Sequence, residues 1–180
     1  MSASFQGTRA ARAFIAFGAN LGDPGDAYTF AQAQIAALPD TRIIALSALY
    51  RTAPVGVSGQ PDYINAVLAI DTRLTPEALL EAILAIEQRR GRTRASFRAP
   101  RTLDLDLLLY EERVITTPRL ELPHPRMHKR AFVLIPLAEI APDTHIPGYG
   151  PVSALLTGVA DQSVTRIRTG ISGTLESDAV

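Results

Sequence analysis

The order in which the apolar pattern changes its period constrains this chain more than any other feature. Ala13 to Gly18 is a short apolar run stopped by glycine, which reads as a buried strand. From Ala27 to Leu38 the residues Phe30, Ala31, Gln34, Ile35 and Leu38 recur at helical spacing, and Pro39 ends the segment. Thr41 to Arg51 alternates with a period of two, and Tyr63 to Thr72 is a second β-rich run. Thr75-Pro76-Glu77 opens a helix with Thr75 as N-cap and Pro76 at the first helical position. Leu79, Leu80, Ile83, Leu84 and Ile86 form its buried stripe, and Gly91 stops it. Leu103 to Tyr110 is the most apolar strand. The order is β-α-β-β-α-β, the split-βαβ order of ferredoxin-like folds. The two middle strands can pair as a hairpin. The expected fold class is therefore α+β, a ferredoxin-like sandwich with a mainly antiparallel sheet and its flanking helices on one face.

The remaining segments are shorter. Val114 to Thr116 is expected to pair with Leu103 to Tyr110 across Glu111-Glu112-Arg113. Arg126 to Ile140 reads as helical in part, with Pro136 interrupting it. Ser153 to Leu156 suggests a helical turn, Val164 to Arg168 a short strand, and Gly170 to Val180 a loose tail. No repeat or linker divides the chain, so one domain is expected over residues 13–160. Residues 1–12 read as a flexible leader and 161–180 as a C-terminal extension. A length of 180 residues suffices for one core. Eighteen basic residues balance 18 acidic ones, which argues against a wholesale nucleic-acid or membrane-surface coat. The absence of cysteine removes disulfides, thiolate metal sites and cysteine nucleophiles, and suits a reducing, cytoplasmic setting.

Asp104 and Asp106 carry the sharpest chemical signal. Side chains two apart in a strand share a face, so both carboxylates leave an otherwise apolar strand in the same direction. Like charges at that spacing repel, and burying either one alone is costly. A hard divalent cation answers both problems, and Mg²⁺ characteristically takes one or two carboxylates together with substrate phosphate oxygens. The other reading is a solvent-facing acid pair answered by an arginine.

A basic loop leads into this strand. Arg89, Arg90, Arg92, Arg94, Arg98 and Arg101 lie within thirteen positions with no acid among them. Guanidinium forks match phosphate oxygens, and a diacid next to such a loop is an arrangement suited to phosphoryl transfer. Glu87 stands in the last helical turn, where the helix dipole disfavours an acid, so it either pairs with a neighbouring Arg or receives hydrogen bonds from a ligand. His124 is held in extended chain between Pro123 and Pro125, with Arg119, Arg126 and Arg130 nearby; it is either structural or a phosphate contact. No Walker or dinucleotide glycine motif occurs.

Several separate blocks resemble the 6-hydroxymethyl-7,8-dihydropterin pyrophosphokinase family of folate biosynthesis. They are Gly18-Ala19-Asn20-Leu21-Gly22, Tyr50-Arg51-Thr52-Ala53-Pro54, Gln60-Pro61-Asp62-Tyr63-Ile64-Asn65-Ala66, Pro100-Arg101-Thr102-Leu103-Asp104-Leu105-Asp106, and Leu122-Pro123-His124-Pro125-Arg126-Met127 running on to Arg130-Ala131-Phe132-Val133-Leu134. The resemblance implies transfer of the terminal pyrophosphoryl unit of ATP to the pterin hydroxymethyl, leaving AMP. It implies that Asp104 and Asp106 hold two Mg²⁺ ions and that Arg92 and Arg101 grip the phosphates during transfer. Glu87, Arg94, Arg98, Leu107, Arg119, His124 and Arg130 then fall to the ATP site. Thr52, Ala53, Pro54, Val55, Tyr63, Asn65 and Phe132 fall to the pterin pocket. The expected partners are these two small molecules, with no nucleic acid and no membrane, and the protein is expected to be a monomer.

Two other classes compete. A ferredoxin-like RNA-binding module would use the Arg loop, but Leu103 to Leu109 has no aromatic residue on which to stack bases. A metal-dependent phosphohydrolase would release phosphate from ATP without a pterin.

Overall fold

The computed structural model describes residues 9–54, 59–91, 102–169 and 175–177. The elements run β1 (Ala11–Ala19), α1 (Pro24–Ala36), β2 (Thr41–Leu46), β3 (Leu49–Thr52), β4 (Tyr63–Thr72), α2 (Pro76–Arg89), β5 (Asp104–Tyr110), β6 (Ile115–Thr116), β7 (Glu121–Leu122), α3 (Ala131–Ile140), β8 (His145–Ile146), β9 (Gly150–Pro151), α4 (Val152–Leu155), β10 (Thr165–Thr169) and β11 (Leu175–Ser177). The main sheet has the order β11-β10-β3-β4-β1-β5, with β2 also paired to β4, and its pairings are antiparallel. The β-α-β-β-α-β frame is thus the expected one, with β4 and β1 at the centre.

Local chemistry sets the helix starts. Thr75 caps α2, its hydroxyl accepting from the Ala78 N–H, and Pro76 follows at the first position as expected. In α1 the start lies three residues before the expected one. Asp23 is the N-cap, its carboxylate accepting from the Gly25 and Asp26 N–H groups, so Pro24-Gly25 is the first turn of the helix and not part of the preceding loop. Pro136 removes one helical N–H but does not end α3.

The helices occupy both faces of the sheet, not one. On the first face α1 and α2 bury Ala31, Ile35, Leu79, Ile83 and Ile86 against Ala13, Ile15 and Phe17 of β1 and Leu105 and Leu107 of β5. On the second, α3 and α4 bury Leu134, Leu137 and Val152 against Phe14, Val67, Ala69 and Leu108. The central strands are apolar on both faces, and a sheet in that state has to be covered twice.

Three strand expectations change. The run Thr41 to Arg51 is two strands, broken at Ser47-Ala48. There the Ser47 hydroxyl accepts from the Val67 N–H while the Ser47 N–H donates to the Val67 carbonyl, so a side chain takes one rung of the ladder. Residues Ile115–Thr116 pair with β7 and not with β5, because a tight turn closed by Thr117 and Leu120 folds them onto Glu121–Leu122. Past residue 160 the sheet continues: β10 lies against β3, and Leu175–Ser177 in the expected loose tail pairs with β10. An open sheet edge offers unpaired backbone groups that such a segment can satisfy.

β1 begins at Ala11, inside the stretch read as a leader, and Arg12 lies opposite Asp71. The Arg12 Nε donates to the Asp71 carboxylate at 2.6 Å, and Arg42 of β2 is 3.8 Å away on the other side. The Arg12 hydrogen bond, aided by both guanidinium charges, holds the Asp71 carboxyl below its ordinary value of 3.8. A depressed carboxyl stabilises the fold above its unfolded pKa and loses that contribution as pH falls through the folded value. Asp71→Asn is therefore expected to lower Tm at neutral pH by the equivalent of about 1 kcal/mol or less. The gap to wild type should close in thermal melts taken at progressively more acid pH. A gap of constant size would show that the pair contributes through packing and not charge.

Candidate active site

Asp104 and Asp106 both leave β5 on the α3 face of the sheet, at its open end. Their cross-strand neighbours are the small residues Gly18 and Ala16 of β1, and Gly18 has Asn65 of β4 on its other side. One row across three strands therefore reads Asn65, Gly18, Asp104. A Cβ at Gly18 would project between its neighbours, 3.6 Å from Asn65 Oδ1 and 4.0 Å from Asp104 Cβ. With hydrogen there instead, the row stays open to a cleft of about 920 Å³, a size suited to small-molecule ligands.

The register of β5 shifts between Phe14 and Ile15, so Leu108 is an extra residue in the strand. Its carbonyl accepts from the His124 N–H at 2.9 Å, which fastens the Pro-His-Pro segment beside the acid pair. His124 Nδ1 accepts from the Arg126 N–H at 3.3 Å, leaving the ring proton on Nε2, which faces Asp106 Oδ2 at 3.9 Å. Burial pushes the His124 pKa down, Asp106 opposes that shift, and the Arg130 and Arg126 charges add to it. The Arg130 guanidinium lies 5.4 Å above the centre of the Phe132 ring.

At the other end of the cleft Asn65 is 5% exposed and donates to Thr52 Oγ1 at 3.0 Å and more weakly to the Tyr50 carbonyl. Asn20, also buried, reaches from the loop after β1 to Gln60 Oε1 and the Pro61 carbonyl, both at 3.4 Å. Tyr50 donates its hydroxyl to Glu139 of α3 at 3.0 Å; burial first, then Glu139, pushes its pKa up to about 12.

The acid pair is chemically suited to a hard cation. Both donors are carboxylates on one face, Asp106 keeps 43% of its side chain exposed, and both line the cleft. Among the described residues no group of three or more His, Cys, Asp and Glu is gathered for a metal. A cation held here would take its remaining oxygens from water and from a bound substrate, as Mg²⁺ commonly does.

Residues 14–142 match the model of the 7,8-dihydro-6-hydroxymethylpterin-pyrophosphokinase family. The chain belongs to that family. It is 42% identical over 156 residues to the 2-amino-4-hydroxy-6-hydroxymethyldihydropteridine pyrophosphokinase of Pseudomonas aeruginosa, covering 87% of this chain and 96% of that one. It is 47% identical over 137 residues to the protein of the same description from Methylorubrum extorquens, covering 76% and 87%. The fold is also that of Plasmodium falciparum HPPK-DHPS in complex with pteroate, with a TM-score of 0.74 at 12% identity over 94% of this chain and 48% of that longer one.

Within this pyrophosphokinase frame the cleft gathers most of the expected residues. Thr52, Ala53, Pro54, Tyr63, Asn65 and Phe132 line it, as do Asp104, Asp106, His124 and Arg130. Val55, Arg92, Arg94, Arg98 and Arg101 lie outside the described residues. Three expected nucleotide contacts are not in the wall of the cleft. Leu107 points to the opposite face and is 4% exposed, because odd and even residues of β5 face different layers. Arg119 is exposed and reaches Glu81 of α2 at 3.2 Å. Glu87 is 1% exposed beneath the sheet, where its Oε1 accepts from the Leu105 N–H at 2.7 Å, between the two acids. An acid at the end of α2 thus turns inward to a main-chain donor.

Gln60, Arg126, Lys129 and the run Gln162-Ser163-Val164 also line the cleft. Of these, Gln60 and Arg126 stood within the blocks of family resemblance, so a signal was present. Residues 162–164 gave none, because only the return of the chain to pair β10 with β3 brings them there.

Proposed function

We propose that this protein transfers the terminal pyrophosphoryl group of ATP to the hydroxymethyl of 6-hydroxymethyl-7,8-dihydropterin. The hydroxymethyl oxygen attacks the β-phosphorus, the bond from that phosphorus to the oxygen bridging it to the α-phosphate breaks, the hydroxyl proton is released, and AMP leaves. The observation that carries this reading is the row Asn65, Gly18, Asp104. It sets an amide suited to a heterocycle edge next to a diacid suited to a metal triphosphate, in one cleft.

Each part of the cleft has a task on this reading. Asn65 has its N–H groups donated to Thr52 and Tyr50, so Oδ1 is the atom it offers to a pterin donor. Phe132 and Tyr63 supply apolar faces for the ring. Asp104 and Asp106 would hold Mg²⁺, which when bound neutralises phosphate charge and polarises the reacting phosphoryl group. His124 and Arg130, which line the cleft beside the acid pair, would contact the triphosphate on this reading. Positioning of the two reactants side by side supplies much of the acceleration in such a transfer.

The test is to mix the protein with ATP, Mg²⁺ and the hydroxymethyl-dihydropterin and to identify the products. AMP is expected, only when the pterin is present, and chelation of Mg²⁺ should stop its formation. ADP as the product would overturn the pyrophosphoryl assignment. Phosphate release without pterin would indicate a hydrolase.

A further inference from the structure

The start of α3 carries two of the cleft residues, Arg130 and Phe132, and it is held from outside the helix. The N-cap residue Arg130 makes no side-chain cap bond. The first-turn N–H of Ala131 donates instead to Gln162 Oε1 at 2.9 Å, and the same amide donates through Nε2 to the Lys129 carbonyl at 2.9 Å. One side chain thus bonds the main chain immediately before and immediately after Arg130. Gln162 is itself placed by its N–H, which donates to the Val159 carbonyl at the end of the 3₁₀ turn Leu156–Val159. The three residues Gln162, Ser163 and Val164 line the cleft, and the chain then enters β10 against β3, the strand that ends in Thr52.

We propose that Gln162 is a positioning residue for this transferase. It fixes the turn that presents Arg130 to one substrate and Phe132 to the other, and so makes binding of both depend on the C-terminal segment. The chemistry demands an amide, because the clasp must accept at Ala131 and donate at Lys129 at once. Glutamate can only accept there, and leucine can do neither. Gln162 is exposed, so water can take over at the Lys129 carbonyl, but Ala131 is fully buried and its N–H loses its acceptor, so the fold also gives up some stability. What is lost is the fraction of molecules with the turn in its binding conformation, and apparent affinity falls by that fraction.

The inference rests on the pyrophosphokinase reading, so turnover by the wild-type chain is measured first; absence of AMP there overturns that reading, while calorimetric binding of Mg²⁺-ATP still tests the clasp. In Gln162→Leu, KM for ATP and for the pterin are expected to rise together by about five- to tenfold, and the ATP dissociation constant with them, while kcat stays within about twofold. Gln162→Glu should fall between Leu and wild type, since it keeps the bond to Ala131 where a helix N-terminus favours an anion. The melting temperature should fall modestly in Gln162→Leu, which leaves the buried Ala131 N–H without its acceptor, and less in Gln162→Glu, which keeps it. Unchanged KM values and ATP affinity in Gln162→Leu would overturn the proposal. So would a loss of kcat and melting temperature at constant KM, the pattern of a residue that only supports the fold.

Discussion

Asp104→Asn and Asp106→Asn each leave a folded protein that has lost nearly all AMP formation. The expected fall in rate is at least about 10²–10³-fold, since each change removes an anionic oxygen donor while the charge of the triphosphate still needs to be neutralised. Stability should hardly change. Both residues line an open cleft at the end of β5, the Asp106 side chain is 43% exposed, and Asn keeps the shape of Asp. For partly solvated carboxylates of this kind a change of about 1 kcal/mol or less is expected. Activity and stability thereby separate, which distinguishes a metal-binding pair from an acid pair kept for the fold. The measurement is turnover alongside thermal melts with and without Mg²⁺-ATP. Wild type should gain stability from the nucleotide and both variants should gain much less. A clear drop in Tm of both variants without ligand, with Mg²⁺-dependent nucleotide binding intact, would instead make the pair structural.

Glu87→Ala has the opposite profile, with its largest effect on stability. The carboxyl is buried beneath β5 and accepts from the Leu105 N–H at 2.7 Å. Truncation leaves that donor without this acceptor in a core of Ile83, Ile86, Leu103 and Leu105, and leaves a void where the side chain was. An unsatisfied buried N–H costs about 1–3 kcal/mol, and the void adds to it. A total near 3 kcal/mol should lower Tm by roughly 6–12 °C in a chain of this size. Leu105 lies between Asp104 and Asp106, so activity is expected to fall too, even at temperatures where the variant is folded. Glu87→Gln keeps an acceptor oxygen and nearly the same volume, and should recover most of the melting temperature. If Glu87→Ala melted like wild type and lost only ATP affinity, the side chain would be a nucleotide contact and not a support for the strand.

Part of the fold was legible in the residues alone. The βαββαβ frame was, because period-two and helical spacings alternate cleanly from Ala13 to Tyr110 and because Thr75-Pro76 marks the start of α2. The shared face of Asp104 and Asp106 was also legible, since alternation along a strand needs no knowledge of neighbours. The break at Ser47-Ala48 was not, because alternation continues through it and only the pairing of Ser47 with Val67 interrupts the strand. The partner of Ile115–Thr116 depended on a turn four residues long, which competed with a hairpin that looked equally short.

The site divides along the same line. Local sequence determined which residues could carry the chemistry: two acids on one face, an amide, a histidine held between prolines, and an arginine-rich loop. Only the tertiary structure decided which of them meet. Antiparallel register set Asn65, Gly18 and Asp104 in one row, and a one-residue slip would have sent the acids into the core with Leu105. A shift of register at Leu108 freed the carbonyl that holds His124. The covering of the second sheet face by α3 carried Arg130 and Phe132 to the cleft, and the return of the chain toward β10 brought Gln162 to the main chain of Lys129 and Ala131 on either side of Arg130. Periodicity is a property of neighbours along the chain and survives in the sequence, whereas register and long-range closure depend on pairings between residues 45 to 118 positions apart, which no local pattern encodes.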